Sequence, residues 1–300
     1  MTLPRQTLSY LRNLLQERGI QPKNKLGQNF LIDLNLLDLV VRTAELSKDD
    51  VGLEVGSGTG TLTARLAEAA GAVLGVEIDP AFFALTTEIL AGKANVRVLH
   101  TDVLRTKNEI NPNVLAALEE QRTRFGCTRR KLVANLPYVV ATPVICNLLI
   151  GELPFESMVV MVQWEIAERM IALPRTSEYS SLAVLVQAVA DVTVVRRLAP
   201  SVFWPRPQVD SAIIKIVPNA QKRAKVGDVQ AFRVFLRDLY SHRRKNLRGA
   251  LVGWPSGRRE KPDVDRKLAE LGLAGTGRAE ELDVEQHLRL CAAFPPPAGE

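Results

Sequence analysis

Three hundred residues, 46% hydrophobic and 24% charged, lie in the ordinary globular range and give a core large enough to need no staples. No apolar run approaches the roughly 18 residues of a membrane span, and the scattered Cys127, Cys146, Cys291, His100, His242 and His287, with no CxxC pair, exclude a disulfide framework and a dedicated zinc site. The net charge of +6 is uneven: residues 222–261 hold twelve Lys/Arg against three Asp/Glu, so a basic segment is joined to a mildly acidic remainder, the pattern of a chain that meets a polyanion with one region, although charge alone fits a solvated helical face equally well.

The chain starts with an amphipathic segment, Leu8, Leu11, Leu14 and Leu15 standing at helical spacing. Glu17 follows closely on Arg5 and Arg12 without a long apolar core, so no signal or transit peptide is expected and the expected location is the cytoplasm. Short β-rich runs occupy 51–55, 72–78, 96–99, 131–135 and 158–163. Helical patterns at 62–70, 81–90 and 143–150 lie between them, punctuated by Gly71, Pro80 and Gly151. This alternation predicts an α/β, Rossmann-like fold with a mostly parallel sheet. Runs at 192–198 and 211–217 follow one another with no long helix between, which predicts an antiparallel edge. Beyond Pro218 the patterns at 229–240, 264–271 and 281–294 are helical, with Gly/Pro-rich connections such as 253–257. Two domains are therefore expected, 1–219 and a small helical one at 220–300, ending in a frayed tail.

The first strand runs into Glu54-Val-Gly56-Ser-Gly58-Thr-Gly60. Glycines there let the backbone turn sharply and approach a ligand at the carboxyl edge of the sheet. The spacing is GxGxG, with Glu54 two residues ahead, and is typical of methyltransferases rather than of the GxGxxG dehydrogenases. Glu77, beside Ile78, ends the second strand 21 residues after Gly56, where a carboxylate can accept ribose hydroxyls. Asp102, beside Val103, follows the third strand, where a carboxylate can accept an adenine amino group. Either acid alone reads equally well as loop solvation; ligand groups at three successive strand ends do not. No Lys or Arg stands in the glycine loop to meet a pyrophosphate, which counts against NAD and ATP.

The fourth strand leads into Asn135-Leu136-Pro137-Tyr138. An adenine exocyclic amine is a poor nucleophile because its lone pair is delocalised into the ring. Methylating it needs acceptors for the amino hydrogens and a flat surface for the base. The Asn135 side-chain oxygen and the Leu136 or Pro137 carbonyl are candidate acceptors, and Tyr138 is a candidate stacking platform. Pro137 keeps Leu136 extended and removes a competing donor. A generic Asn-x-Pro-Tyr would be a strand end and a proline turn; in this position it reads as chemistry.

Taken with Lys25-Leu-Gly-Gln28-Asn29-Phe30-Leu31, Met161-Val-Gln163-Trp-Glu165-Ile-Ala167-Glu-Arg169, Phe203-Trp-Pro205-Arg-Pro207-Gln-Val209-Asp-Ser211-Ala212 and Arg243-Arg-Lys245-Asn-Leu247, in that order, the chain resembles the small-subunit rRNA adenine dimethyltransferase family, the kasugamycin-sensitivity methyltransferases and their dimethyladenosine transferase relatives. The resemblance implies S-adenosylmethionine as cofactor, held by Gln28, Asn29, Leu31, Gly56, Gly58, Glu77, Ile78, Asp102, Val103 and Asn135. It also implies a target-base pocket of Asn135, Leu136, Pro137, Tyr138 and Phe203, with Phe203 on the face opposite Tyr138, and no metal; as a bare residue Phe203 reads more often as core than as clamp, and its flanking prolines are what favour a surface-reaching loop. The implied substrate is two adjacent adenines near the 3′ end of small-subunit rRNA in a pre-ribosomal particle; for RNA docking, Arg243, Arg244, Lys245 and Arg248 form the candidate patch. No obligate protein partner and no membrane are implied.

Three departures stand out from the family pattern. Thr101-Asp102-Val103-Leu104 replaces Gly-Asp-Ala-Leu, Glu178-Tyr-Ser-Ser-Leu182-Ala replaces Tyr-Gly-x-Leu-Ser, and the stretch 102–135, which includes 119–130, is long enough for an extra helical excursion. The rival readings are a large-subunit rRNA methyltransferase of the macrolide-resistance type, a non-catalytic RNA-binding assembly factor on the same fold, and a DNA adenine methyltransferase, which usually has an acid where Asn135 stands.

Overall fold

A computed structural model describes residues 7–241, 245–253 and 259–296. Arg243, Arg244, the connection at 254–257 and the end of the expected tail lie outside the described residues. The chain forms two compact units. The first takes the residues up to Ala167 together with Thr193–Val217, and the second takes Glu168–Val192 together with the chain from Pro218.

The first unit is built on a seven-stranded sheet: β1 (Asp50–Val55), β2 (Ala72–Glu77), β3 (Val96–His100), β4 (Arg129–Asn135), β5 (Ser157–Gln163), β6 (Ala190–Leu198) and β7 (Ser211–Pro218), in the order β3-β2-β1-β4-β5-β7-β6. Neighbours from β3 through β5 pair in parallel, and β7 pairs antiparallel with β5, Ser211 opposite Gln163. β1 and β2 are buried along their whole length, so that Asp50, Glu54 and Glu77 stand buried among their apolar residues. Strand order reverses between β1 and β4, so the chain leaving Val55 and the chain leaving Asn135 bound the crevice in which such sheets hold ligands.

Helices α1 (Leu8–Glu17), α2 (Leu34–Ala44), α3 (Thr61–Ala69), α4 (Pro80–Ile89), α5 (Pro112–Arg124) and α6 (Ala141–Ile150) belong to this unit. Leu37 and Val40 of α2 and Leu66 of α3 pack on Val73, Val133 and Met161 of the sheet. The Leu11 and Leu15 stripe of α1 packs on Phe82 and Leu85 of α4. The long 102–135 connection holds a hairpin, Leu104–Thr106 with Glu109–Ile110, and then α5. The helix begins at Pro112 because Asn111 caps it, accepting the Asn113 amide at 3.0 Å, and Pro112 supplies a preset first turn.

At the opposite end of the sheet from the crevice, fully buried Asp50 is bound by Arg129 Nε at 2.8 Å and Lys131 Nζ at 3.3 Å. The same Lys131 amine donates to the carbonyls of Ala44 and Glu45 at 3.1 and 2.7 Å, closing the carboxyl end of α2.

In the second unit, α8 (Ser181–Val189), α9 (Ala220–Val226), α10 (Val229–Ser241), α11 (Leu247–Val252), α12 (Lys261–Glu270) and α13 (Val284–Ala293) bury Phe232, Phe235, Leu268, Leu290 and Phe294; α7 (Trp164–Ile171) is the helix between β5 and this segment. A single boundary near residue 219 therefore misplaces Glu168–Val192, which clusters with the later helices. The segment escaped notice because α8 is apolar from Leu182 to Val189 except for Gln187, too nearly uniform to show a helical period.

Candidate active site

A cavity of about 200 Å³ opens where the ends of β1, β2, β3 and β4 converge under the loop 26–30. Gly56 and Gly58 leave β1 with φ of 81° and 54°, a region that only glycine enters freely. Both also lack room for a side chain. A Cβ on Gly56 would stand 3.0 Å from Pro137 Cγ, and one on Gly58 would stand 2.8 Å from Phe30 Cε1. The glycine string thus fits against the Asn135–Tyr138 turn on one side and the Gly27–Leu31 segment on the other.

Glu77, buried at the end of β2, accepts the amides of Gly58 and Asp79, each at 2.9 Å. Burial raises its pKa above the ordinary carboxylate value, against the lowering by those amides. Glu54 is buried more deeply and is pushed up to about 8, chiefly by burial and further by the Glu77 charge, while a hydrogen bond from Thr63 opposes the shift. It therefore carries a proton at neutral pH. Asp79 caps α4 through the Ala81 amide and binds Lys23 Nζ at 2.8 Å and Gln28 Nε2 at 3.3 Å. Its own burial pushes its pKa up, but those partners prevail and hold it below the usual carboxylate range. Gln28 Oε1 also accepts the Lys23 amide at 2.6 Å, so this side chain ties the loop to β2 as well as facing the cavity.

Asp102 is exposed at the rim and accepts the Leu104 amide at 2.9 Å. Asn111, already the α5 cap, donates to the Thr101 hydroxyl and the Asp102 carbonyl, both at 3.0 Å. The family departure at Thr101 is thereby joined to the extra helix.

Asn135 is oriented by one bond, its Nδ2 donating to the Asn29 carbonyl at 2.7 Å. That leaves Oδ1 as its acceptor. Of the two candidate carbonyls, that of Pro137 accepts the Val140 amide at 3.0 Å and closes a turn, whereas Leu136 is buried, its amide donating to Met161 O at 3.2 Å, and is not among the residues lining the cavity. Half-buried Tyr138 places its hydroxyl 2.7 Å from Ser211 Oγ, and burial raises its pKa despite that bond.

Gln28, Asn29, Gly56, Gly58, Glu77, Ile78, Asp102, Val103, Asn135 and Pro137 all line the cavity. Leu31 instead borders a smaller recess across the glycine loop, with Glu54 and Met161, and Asn135 faces both spaces. Phe203 requires correction. It is no part of a surface-reaching loop: it pairs with Leu31 in a two-residue antiparallel ribbon, Phe30 opposite Trp204, and its ring is buried with Leu198 and Ile213. Sequence reasoning missed Leu26, Gly27, Val139 and Val140 as lining residues, although the first two lie within, and the last two directly follow, motifs that it singled out. In the second unit, Lys245 is exposed, while both ends of the Arg248 guanidinium grip Asp265, Nε at 2.6 Å. The expected patch is therefore partly neutralised within its own unit.

The donor set suits a nucleoside. Carboxylates stand at two strand ends, main chain approaches closely where side chains are absent, and no Lys or Arg is among the residues lining the cavity.

A profile of the family described as ribosomal RNA adenine dimethylase matches residues 19–291. A protein of Geobacillus sp. (strain WCH70) called ribosomal RNA small subunit methyltransferase A is 37% identical over 284 residues, covering 94% of this chain and 95% of its own. Its namesake in Clostridium acetobutylicum is 36% identical over 93% of this chain and 96% of its own. Among solved structures, a dimethyladenosine transferase from Plasmodium falciparum superposes with a TM-score of 0.69 at 26% identity, covering 87% of this chain and 96% of that one. The 23S rRNA methyltransferase ErmE superposes with a TM-score of 0.60 at 26% identity, covering 88% and 99%.

Proposed function

This chain belongs to the ribosomal RNA adenine dimethylase family, and from that premise we propose that it methylates the exocyclic amines of two adjacent adenines near the 3′ end of small-subunit rRNA, using S-adenosylmethionine, in the cytoplasm during subunit assembly. The observation that carries the reading is Asn135 at the end of β4, its Nδ2 committed to the Asn29 carbonyl and its Oδ1 left as acceptor, among the residues of an acid-lined cavity.

Glu77 would hold the ribose of the cofactor and Asp102 its adenine amine, with Ile78 and Val103 against the ring and Gly56 and Gly58 giving the close main-chain approach. When bound, S-adenosylmethionine supplies an electrophilic methyl group. Asn135 Oδ1 and a main-chain carbonyl of the turn, that of Leu136 or Pro137, accept the two amino hydrogens of the target adenine and draw its nitrogen towards tetrahedral geometry. No strong general base is needed, because the amine sheds its proton only after becoming cationic. Tyr138 supplies the stacking face for a flipped base. Phe203 joins the clamp only if its ring leaves the core, so the base pocket of this conformation has one aromatic wall. Lys245 and the outlying Arg243 and Arg244 are the cations proposed to meet phosphate, with Arg248 contributing less because of Asp265.

The test is incubation with labelled cofactor and either small- or large-subunit particles from cells lacking the protein, followed by mapping of the methylated adenines. Label at two adjacent adenines of the small-subunit RNA is expected. Label confined to large-subunit RNA would transfer the substrate to the macrolide-resistance class, and none on either would favour an assembly factor.

A further inference from the structure

Ser211 opens β7 and is completely buried, opposite Gln163 at the end of β5. Its hydroxyl lies 2.7 Å from that of Tyr138, 73 residues earlier in the chain. The corner that carries it is fastened twice. The Asp210 carbonyl accepts the Trp164 amide at 2.9 Å, and the Asp210 carboxylate binds Arg197 Nε at 2.8 Å. Arg197 in turn lies 4.4 Å over the Trp164 ring. At its other end Tyr138 follows Pro137, whose ring abuts Gly56. The aromatic ring is thus held by main chain at Cα and by one hydrogen bond at its tip. Tethers at both ends of its long axis fix where a phenol ring lies and which way that axis points, and a stacking face serves catalysis best when its position is set before the base arrives.

We propose that Ser211 is a positioning residue for methyl transfer: its hydroxyl locks the Tyr138 ring in the position from which it stacks on the target adenine. The proposal rests on the reading of Tyr138 as the base platform. It also accounts for two motifs that the chemistry alone leaves idle, since Gln163-Trp164 and Asp210-Ser211 together form the fastened corner. The bond itself contributes modestly to folding, as neutral hydrogen bonds do. Its larger effect is on the population of platforms ready to receive a base.

The experiment compares Ser211→Ala, Tyr138→Phe and the double variant in single-turnover transfer at saturating cofactor and RNA, with cofactor affinity, RNA affinity and melting temperature measured alongside. Each single change is expected to slow transfer roughly tenfold, the size of effect one lost hydrogen bond of about 1.4 kcal/mol produces. The double variant should be no slower than the slower single one, and neither affinity should move. A merely structural serine would lower the melting point and leave the saturated rate alone. Should Ser211→Ala fail to fold, Tyr138→Phe decides the matter, because it removes the same bond without touching the strand. Parent rates in the folded single variants, or effects that multiply in the double variant, overturn the proposal. Tyr138→Ala separates the two levels. If it is slow while Ser211→Ala and Tyr138→Phe are not, only the tether is wrong; if it too runs at the parent rate, the platform reading falls and the tether with it.

Discussion

The cavity wall at the ends of β1 and β2 is made of main chain: Gly56 and Gly58 turn through left-handed conformations, and the Glu77 carboxylate is held by two backbone amides. The facing wall, at the end of β4, is formed by Asn135 and Pro137, and the turn that carries it rests on side-chain bonds that span the sequence, Asn135 to Asn29 and Tyr138 to Ser211. A main-chain wall tolerates few residue types but needs no distant partner. A side-chain wall depends on groups far along the chain and can be loosened one bond at a time. Binding and chemistry should therefore respond separately to mutation, and each wall should fail in its own way.

The largest effect is expected at Asn135. Asn135→Ala removes one of two acceptors and should slow single-turnover transfer by about a hundredfold, the scale seen when a preorganised hydrogen-bonding group is lost. RNA affinity, dominated by remote phosphate contacts, should hardly change. Transfer at the parent rate would show that the facing wall is not where the chemistry occurs. Next comes Glu77→Ala, which removes a charged acceptor and leaves two amides without their partner; cofactor affinity by titration calorimetry should fall at least about tenfold. The transfer rate at saturating cofactor should fall much less. An unchanged affinity in a folded variant would break the assignment of β2 to the cofactor.

Gly58→Ala tests the main-chain wall without touching a charge. The left-handed conformation costs an alanine about 1–2 kcal/mol, and its methyl would meet the Phe30 ring. A lower melting temperature and weaker cofactor binding are expected together, whereas parent values for both would mean that the loop relaxes freely. The last test is one of pH dependence and concerns Glu54. Its carboxyl ionises at about 8 when folded and near the ordinary 4.5 when unfolded. Between those values the folded chain keeps a proton that the unfolded chain gives up, so the stabilisation present below 4.5 is lost as pH rises towards 8. Glu54→Gln should flatten that decline in chemical denaturation series, leaving the share due to Glu77, whose pKa is raised in the same direction. A decline as steep as the parent's would show that Glu54 is not its source.

The same contrast explains what was legible in the sequence. Glycine spacing and strand-end acids are dictated by local geometry, so Gly56, Gly58, Glu77 and Asp102 could be read directly, and they do line one cavity. The Asn135 turn was legible as a motif, but the burial of Leu136 and the bond from the Val140 amide to the Pro137 carbonyl were not, because both arise only in the folded turn. The Phe203 ring was read outward from its flanking prolines. Pairing with Leu31 turned it inward, and an alternation two residues long leaves no periodic trace. Arg248 looked like an RNA contact until folding brought Asp265 to it from 17 positions away. The helix at 112–124 was expected from length only as an excursion somewhere in 102–135, since its start is set by the Asn111-Pro112 cap rather than by its charged middle.

Lys131 bears on how this chain is made. The carbonyls of Ala44 and Glu45 receive its amine from 87 and 86 residues downstream, and buried Asp50 waits on both Lys131 and Arg129. At translation speeds of roughly 5–20 residues per second, the interval between their syntheses is on the order of ten seconds. Throughout it, water must serve the end of α2, and Asp50 must stay hydrated, because an uncompensated buried carboxylate is far too costly. β1 and β2 can therefore pair early, but the bottom of the sheet can dry out only after β4 has emerged. A nascent chain stalled before Arg129 should expose this end of α2 and β1 to proteases, and one extended past β4 should protect it.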